Sequence, residues 1–251
     1  MMQHADDEQT THFGFQEVGK GEKARLVRNV FDRVAQRYDL MNDLMSMGVH
    51  RLWKASLIDQ LKPRGNMHLL DLAGGTGDIA QRFRDAGGGA VTVCDINAEM
   101  ISVGRDRALD RGMLEGIRWV VGDAEALPFP DRSTDAYTIA FGLRNVTDMD
   151  RALREARRVL KPGGRFLCLE FSHVVLPLLA DIYDRYSFAV VPALGARFAG
   201  DADSYRYLVE SIRRFPPQAE LAARMTAAGL EQVSVRNLSG GIAAIHAAWR
   251  I

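Results

Sequence analysis

The 251-residue chain reads as an α/β protein with a mostly parallel sheet, helices on both faces, a helical cap at the N-terminus and one antiparallel strand at the end. Three observations predict this. Short apolar runs alternate with segments of helical period between residues 68 and 172, the pattern of a parallel sheet wrapped by crossover helices. The first run leads through the turn Gly74-Gly75-Thr76-Gly77 straight into a helix. The last two runs, 231–238 and 242–250, are joined by Ser239-Gly240-Gly241, a linker short enough for a hairpin.

The elements follow in order. Residues 1–20 open acidic and polar, without the apolar core of a secretory signal or the Arg-rich character of a mitochondrial one, and are expected as a loose tail. Apolar groups at Leu26, Val30, Val34, Tyr38, Met41 and Met45 recur every three or four residues and predict an amphipathic helix over 22–46. The stretch 49–61 repeats the pattern, so 21–64 is expected as a cap on a domain spanning 65–251. Strands are predicted at 68–73, 90–96, 117–123, 135–142 and 165–172. Helices are predicted at 78–88, 97–112 with Asn97 as N-cap, 148–164 with Pro162 and glycines as the stop, and 216–230. Segment 173–215 breaks the alternation and reads as an insertion.

Bulk properties exclude several classes. Lys plus Arg and Asp plus Glu are both 32, so the long-range field expected of a nucleic-acid binder is absent. Cys94 and Cys168 lie inside apolar runs and read as reduced core residues of a cytoplasmic protein rather than a disulfide or zinc site. No cluster with metal-ligand spacing is visible. The most apolar long segment, 174–200, carries Asp181, Asp184 and Arg185, so it does not read as a membrane span.

The glycine turn, "LLDLAGGTGDIA" (69–80), lets a ligand approach the backbone at a strand end. The small residues Gly74 and Gly77 allow that approach, and a tight structural turn is the competing reading. Asp71 and Asp78 flank the turn. Two carboxylates oppose a pyrophosphate and favour a cation, such as the ammonium and sulfonium of S-adenosylmethionine. Asp95 ends the second strand, where an acid can take both ribose hydroxyls, with Ile96 beside it to cover an adenine. Asp123 ends the third strand in "VGDAEALPF". It can accept an adenine amino group while the Ala124 N–H reaches a ring nitrogen. A lone acid at a strand end can be plain surface; three on one edge are harder to dismiss. Together they resemble the Rossmann-like S-adenosylmethionine-dependent methyltransferases, which implies seven strands with the last antiparallel.

Longer stretches narrow the resemblance. "YDLMNDLMSMGVHRLW" (38–53), "FGLRNVTD" (141–148), "RVLKPGGRFLCLEFS" (158–172) and "GDADSYRYL" (200–208) are similar to the signature segments of the ubiquinone/menaquinone biosynthesis C-methyltransferase family. That resemblance implies transfer of a methyl group to a ring carbon of a polyprenylated quinol, no metal, and cofactor contacts at Thr76, Asp95, Asp123 and Ala124. In this reading Arg144 stabilises a ring phenolate, Asn145 orients the ring, and Asp148 orients Arg144 or accepts a proton through water. Against that stands a structural Arg144–Asp148 pair capping the next helix. Tyr38 is the best candidate in 38–53 to close over ring and cofactor. The insertion 173–215 is expected to line an apolar channel for the prenyl tail, with a packing or dimer surface as the other reading. A lipid-tailed substrate also implies transient contact with the inner membrane face. Three rivals remain: another small phenolic acceptor, a nicotinamide-dependent oxidoreductase, and a non-catalytic cofactor-binding component of a quinone-synthesis complex.

Overall fold

The computed structural model describes residues 10–34, 42–43, 46, 48–112, 115–175 and 202–251. Tyr38, and residues 176–201 of the insertion expected to line a channel, lie outside the described residues. The described chain opens with a hairpin of β1 (Thr10–Phe13) and β2 (Gln16–Gly19), in register from Thr10 with Gly19 to Phe13 with Gln16. The loose tail expected over 1–20 is therefore folded from Thr10 onward. Its fastenings come from far along the chain: Phe13 stacks on Tyr207 at 4.1 Å, and the Phe15 N–H donates to Glu210 at 3.0 Å. The periodicity argument missed it because each strand has only four residues. Helices α1 (Lys20–Val34) and α2 (His50–Leu61) follow.

The main sheet then builds through β3 (Leu69–Leu72), α3 (Asp78–Asp85), β4 (Val91–Asp95), α4 (Ala98–Asp110), β5 (Ile117–Val121), β6 (Thr134–Ala140), α5 (Met149–Val159) and β7 (Leu160–Phe171). It closes with α6 (Ala202–Arg214), α7 (Gln218–Ala227), β8 (Glu231–Leu238) and β9 (Ala243–Arg250). The strand order is β5-β4-β3-β6-β7-β9-β8. The first five of these strands run parallel, and β9 is antiparallel to both of its neighbours. Strand order grows outward from β3 toward β4 and β5, then turns to the other side with β6. That reversal opens a crevice at the carboxyl ends of the central strands.

Both faces of the sheet are covered. Leu57 and Leu61 of α2, Ile79 and Phe83 of α3, and Leu208 and Ile212 of α6 pack on one face. Leu153 and Ala156 of α5 and Leu221 and Met225 of α7 pack on the other. Each fully buried Leu or Phe contributes about 1.5–3 kcal/mol relative to exposure. β3 is buried at all four positions, which is why it reads as a continuous apolar run rather than an alternating one. Asn97 caps α4 by accepting the Met100 N–H at 3.0 Å. Helix α5 ends at Val159, short of the expected 164. Pro162 disfavours helical backbone at Lys161, and Arg250 Nη1 donates to the carbonyls of Arg157, Arg158 and Leu160 at 2.7–2.8 Å, taking over the helix end.

Candidate active site

A cavity of about 850 Å³, including its open mouth, lies over the crevice. Its floor is the ends of β3, β4 and β6, with Leu72, Gly75, Asp95, Gly122, Ile139 and Phe141 on its wall. Asp95, Ile96, Asp123, Ala124 and Asn145 all line it. Asp95 Oδ2 accepts the Gly75 N–H at 2.9 Å and Oδ1 accepts the Asn97 N–H at 2.9 Å. Burial nevertheless pushes its carboxyl up to about 6. The Glu125 N–H binds Asp123 Oδ1 at 2.9 Å. Glu125 in turn accepts the Thr147 and Asp148 N–H groups at 2.9 Å each, so the loop after β5 anchors the loop after β6.

The lid over this cavity is α1. Ala24, Val27, Arg28 and Phe31 face into it. Two polar contacts hold the helix on opposite sides of the mouth: Lys23 Nζ donates to the Val146 carbonyl at 2.9 Å, and Asn97 Nδ2 donates to Asp32 Oδ1 at 2.7 Å. Burial brings the Lys23 ammonium down to about 8, against the pull of Glu125. The sequence located this amphipathic helix and placed closure in 38–53, where Tyr38 lies outside the described residues. Its remaining signal was the stripe of Ala24, Val27 and Phe31, which also reads as ordinary core.

Asp71, Gly74, Thr76 and Gly77 are not among the residues lining the cavity. Asp71 is fully buried beneath the turn; Thr138 Oγ1 donates to its Oδ1 at 2.8 Å, and its Oδ2 has no hydrogen-bond partner among the described residues. Burial raises its carboxyl to about 7. A Cβ on Gly74 would stand 2.7 Å from Val93 and 2.8 Å from Asp71 Oδ2. Gly77 has φ 81°, and a Cβ there would meet Trp119 at 2.6 Å. These two glycines let the turn pack against the sheet, on Asp71 of β3, Val93 of β4 and Trp119 of β5. Asp78 reaches away from the turn to Lys54 at 2.7 Å and Arg82 at 2.8 Å. Burial opposes its charge, yet the two cations keep its carboxyl below the usual range.

Arg144 and Asp148 do not form the expected pair, although Asp148 does cap the next helix. Arg144 is buried, and its Nη1 pairs with Glu170 Oε1 at 2.6 Å and with the Phe141 carbonyl at 2.7 Å. Its guanidinium lies 5.6 Å from the Phe171 ring centre. It does not line this cavity and does not pair with Asp148. Burial raises the Glu170 carboxyl, with the Arg144 charge opposing. Asp148 caps α5, accepting the Arg151 N–H at 3.0 Å, and lies 3.6 Å from Lys20. Asn145 remains on the cavity wall. In the 38–53 stretch, His50 is buried with Nδ1 2.9 Å from Ser46 Oγ; burial, helped by Lys54, lowers it to about 4. Trp53 binds Ser239 through Nε1 at 2.9 Å and packs edge-on against Phe171. His246 is buried and bonds the Gln218 carbonyl at 3.1 Å. These three are parts of the packing.

The profile of the ubiE/COQ5 methyltransferase family matches residues 17–250. The chain belongs to that family. Ubiquinone/menaquinone biosynthesis C-methyltransferase UbiE of Acidiphilium cryptum is 58% identical over 243 residues, covering 97% of this chain and 98% of that protein. The UbiE protein of Paracoccus denitrificans is 56% identical over 247 residues, covering 98% and 99%. Among solved structures, an S-adenosylmethionine-dependent methyltransferase from Thermotoga maritima superposes with a TM-score of 0.65 at 20% identity, covering 90% of this chain and all of that one. A methyltransferase bound to the Haloferax volcanii Trm112 activator gives 0.64 at 18% identity, covering 89% and 97%. These two likenesses concern the fold. As a member of the ubiE/COQ5 family the protein is an S-adenosylmethionine-dependent C-methyltransferase.

The residues present fit that cofactor. The Asp95 oxygens keep further lone pairs after their backbone bonds, which suits two ribose hydroxyls. Ile96, Val27 and Phe31 offer apolar walls. The orphaned Asp71 Oδ2 beneath the turn is an acceptor that a cationic group nearby would stabilise.

Proposed function

We propose that this family member methylates a ring carbon of a polyprenylated quinol, of the demethylmenaquinol or polyprenyl methoxy-benzoquinol type. The near full-length identity to proteins named for ubiquinone and menaquinone biosynthesis carries the reading. Bound S-adenosylmethionine supplies an electrophilic methyl that leaves its own sulfur behind. The acceptor carbon must then be electron-rich. An oxidised quinone ring is electrophilic, so the substrate is the reduced form. Ionising a phenol of pKa ~10 at neutral pH costs about 4 kcal/mol. One well-placed donor to the developing oxyanion offsets ~2.7–4 kcal/mol of that.

Asn145 is the residue we assign to that donation, because it is a neutral amide on the cavity wall just after β6. Arg144 supports it from behind: its bond to the Phe141 carbonyl and its pair with Glu170 fix the turn that presents Asn145. Tyr38 supplies a second donor to the ring in this reading. Apolar residues of α1 keep water from the reacting atoms. The prenyl tail belongs in lipid, so the enzyme makes transient contact with the inner membrane face when it takes its substrate; no helix among the described residues is long and apolar enough to cross a membrane.

The test is incubation of the purified enzyme with methyl-labelled S-adenosylmethionine and a short-tailed demethylmenaquinone, kept either reduced or oxidised, followed by mass analysis. Label on a ring carbon of the reduced acceptor alone is the expected result. Cofactor binding without transfer, or transfer only to an unrelated phenol, would overturn the proposal.

A further inference from the structure

Tyr207 of α6 touches the site from outside the cofactor cavity. Its hydroxyl donates to Asn145 Oδ1 at 3.0 Å. It lines a second cavity bounded by the N-terminal hairpin, the end of α6 and the start of α7, whereas Asn145 lines the first; Val146 and Thr147 line both. The bond therefore crosses the partition between the two spaces. The orientation of the Asn145 amide follows from its neighbours. The Phe141 carbonyl can only accept, and it lies 3.5 Å from Nδ2. That carbonyl already takes Arg144 Nη1 at 2.7 Å, so its claim on the amide is weak. The firmer hold is on the other side, where Oδ1 takes the Tyr207 hydroxyl at 3.0 Å and leaves Nδ2 toward the carbonyl and the cavity.

We propose that Tyr207 is a positioning residue for methyl transfer: it holds the Asn145 amide oxygen so that an amide N–H is presented to the ring oxygen of the acceptor. This rests on the assignment of Asn145 as the donor to that oxygen. Without Tyr207 the amide can turn its oxygen to the cavity, where it would repel a developing phenolate. The phenol is well suited to the task. Burial raises its pKa above the ordinary value, so it stays protonated and remains a donor through the working pH range. Its ring is clamped face to face by Phe13 at 4.1 Å with 14° between planes. The hairpin of residues 10–19 thereby acquires a role in the site: it fixes the direction of one hydroxyl.

The experiment is a double-mutant cycle with Tyr207→Phe and Asn145→Ala in the full-length enzyme, using the short-tailed demethylmenaquinol as acceptor. Phenylalanine keeps the stacking on Phe13, and thermal unfolding with cofactor titration checks that the fold is unchanged. Tyr207→Phe is expected to lower kcat about 10-fold or more, with KM for the quinol and affinity for S-adenosylmethionine nearly unchanged. In the Asn145→Ala background the same change should cost almost nothing, because its only route is through that amide. An equal loss in both backgrounds, or full activity of Tyr207→Phe beside an impaired Asn145→Ala, would overturn the role of Tyr207. Full activity of Asn145→Ala would overturn the assignment of Asn145 itself, and the positioning role with it.

Discussion

Replacing Asp71 by asparagine should change stability in opposite directions at acid and alkaline pH. Asp71 is fully buried, and its carboxyl is raised to about 7 in the fold from about 3.9 in an unfolded chain. A group raised in this way leaves stability intact below the unfolded value, where it is neutral in both states. Stability is then lost as pH climbs from about 4 through 7, because the unfolded chain releases the proton more easily. That loss is about 1.5 kcal/mol at pH 5 and about 4 kcal/mol at pH 8. Asparagine does not ionise, and its amide oxygen can still take the Thr138 hydroxyl. Its NH₂ replaces Oδ2, an atom with no partner, at a pH-independent cost of about 1–3 kcal/mol. The variant should therefore be about as stable as the parent, or less so, at pH 5 and more stable at pH 8, the difference moving by about 2–3 kcal/mol. Urea unfolding without cofactor at both pH values, with an unchanged slope m, measures it directly. Parallel stability curves for parent and variant would refute the reasoning.

Three further predictions follow from the same contacts. Glu170→Gln leaves the Arg144 charge buried without its partner and should cost about 3–5 kcal/mol of unfolding free energy; a midpoint shift under 1 kcal/mol would contradict the buried pair. Gly77→Ala combines a φ of 81° with a Cβ 2.6 Å from Trp119 and should destabilise by about 1–3 kcal/mol, with altered tryptophan fluorescence; a variant matching the parent in both would remove the packing role. Lys23→Met keeps the apolar stem but loses the bond to Val146, so calorimetric affinity for S-adenosylmethionine should fall about 10-fold or more; unchanged affinity would mean that α1 does not hold the mouth.

Elements with strong local signals were legible in the sequence. β3 and β4 are continuous apolar runs because both of their faces are buried. Asn97 announced a helix start because capping is a contact between residues three apart. Arg144 shows where such reading stops. Its position after the fourth predicted strand was right, but its partner Glu170 is 26 residues away on β7, and only the parallel pairing of β6 with β7 brings the two together. The same holds for Asp71, whose burial depends on how the turn folds over it, and for the first hairpin, which is held by Tyr207 and Glu210. Of the acids at strand ends, Asp95 and Asp123 line the cavity and Asp71 does not. Which glycines face the ligand and which face Trp119 or Val93 is set by the turn's backbone angles, and those are written in no spacing.

The place of β9 bears on how the molecule assembles. It lies between β7 and β8, yet it is made after both. Among the described residues β8 pairs in the sheet with β9 alone, so it must wait for residues 243–250 before it can join. The carbonyls at the end of α5 wait as long, since their donor is Arg250, 90 to 93 residues downstream. During synthesis the α5 end and the β8 edge therefore stay exposed until nearly the last residue of the described chain has emerged. Removing residues 243–251 should thus strand an entire edge of the sheet and uncap a helix that is complete in sequence.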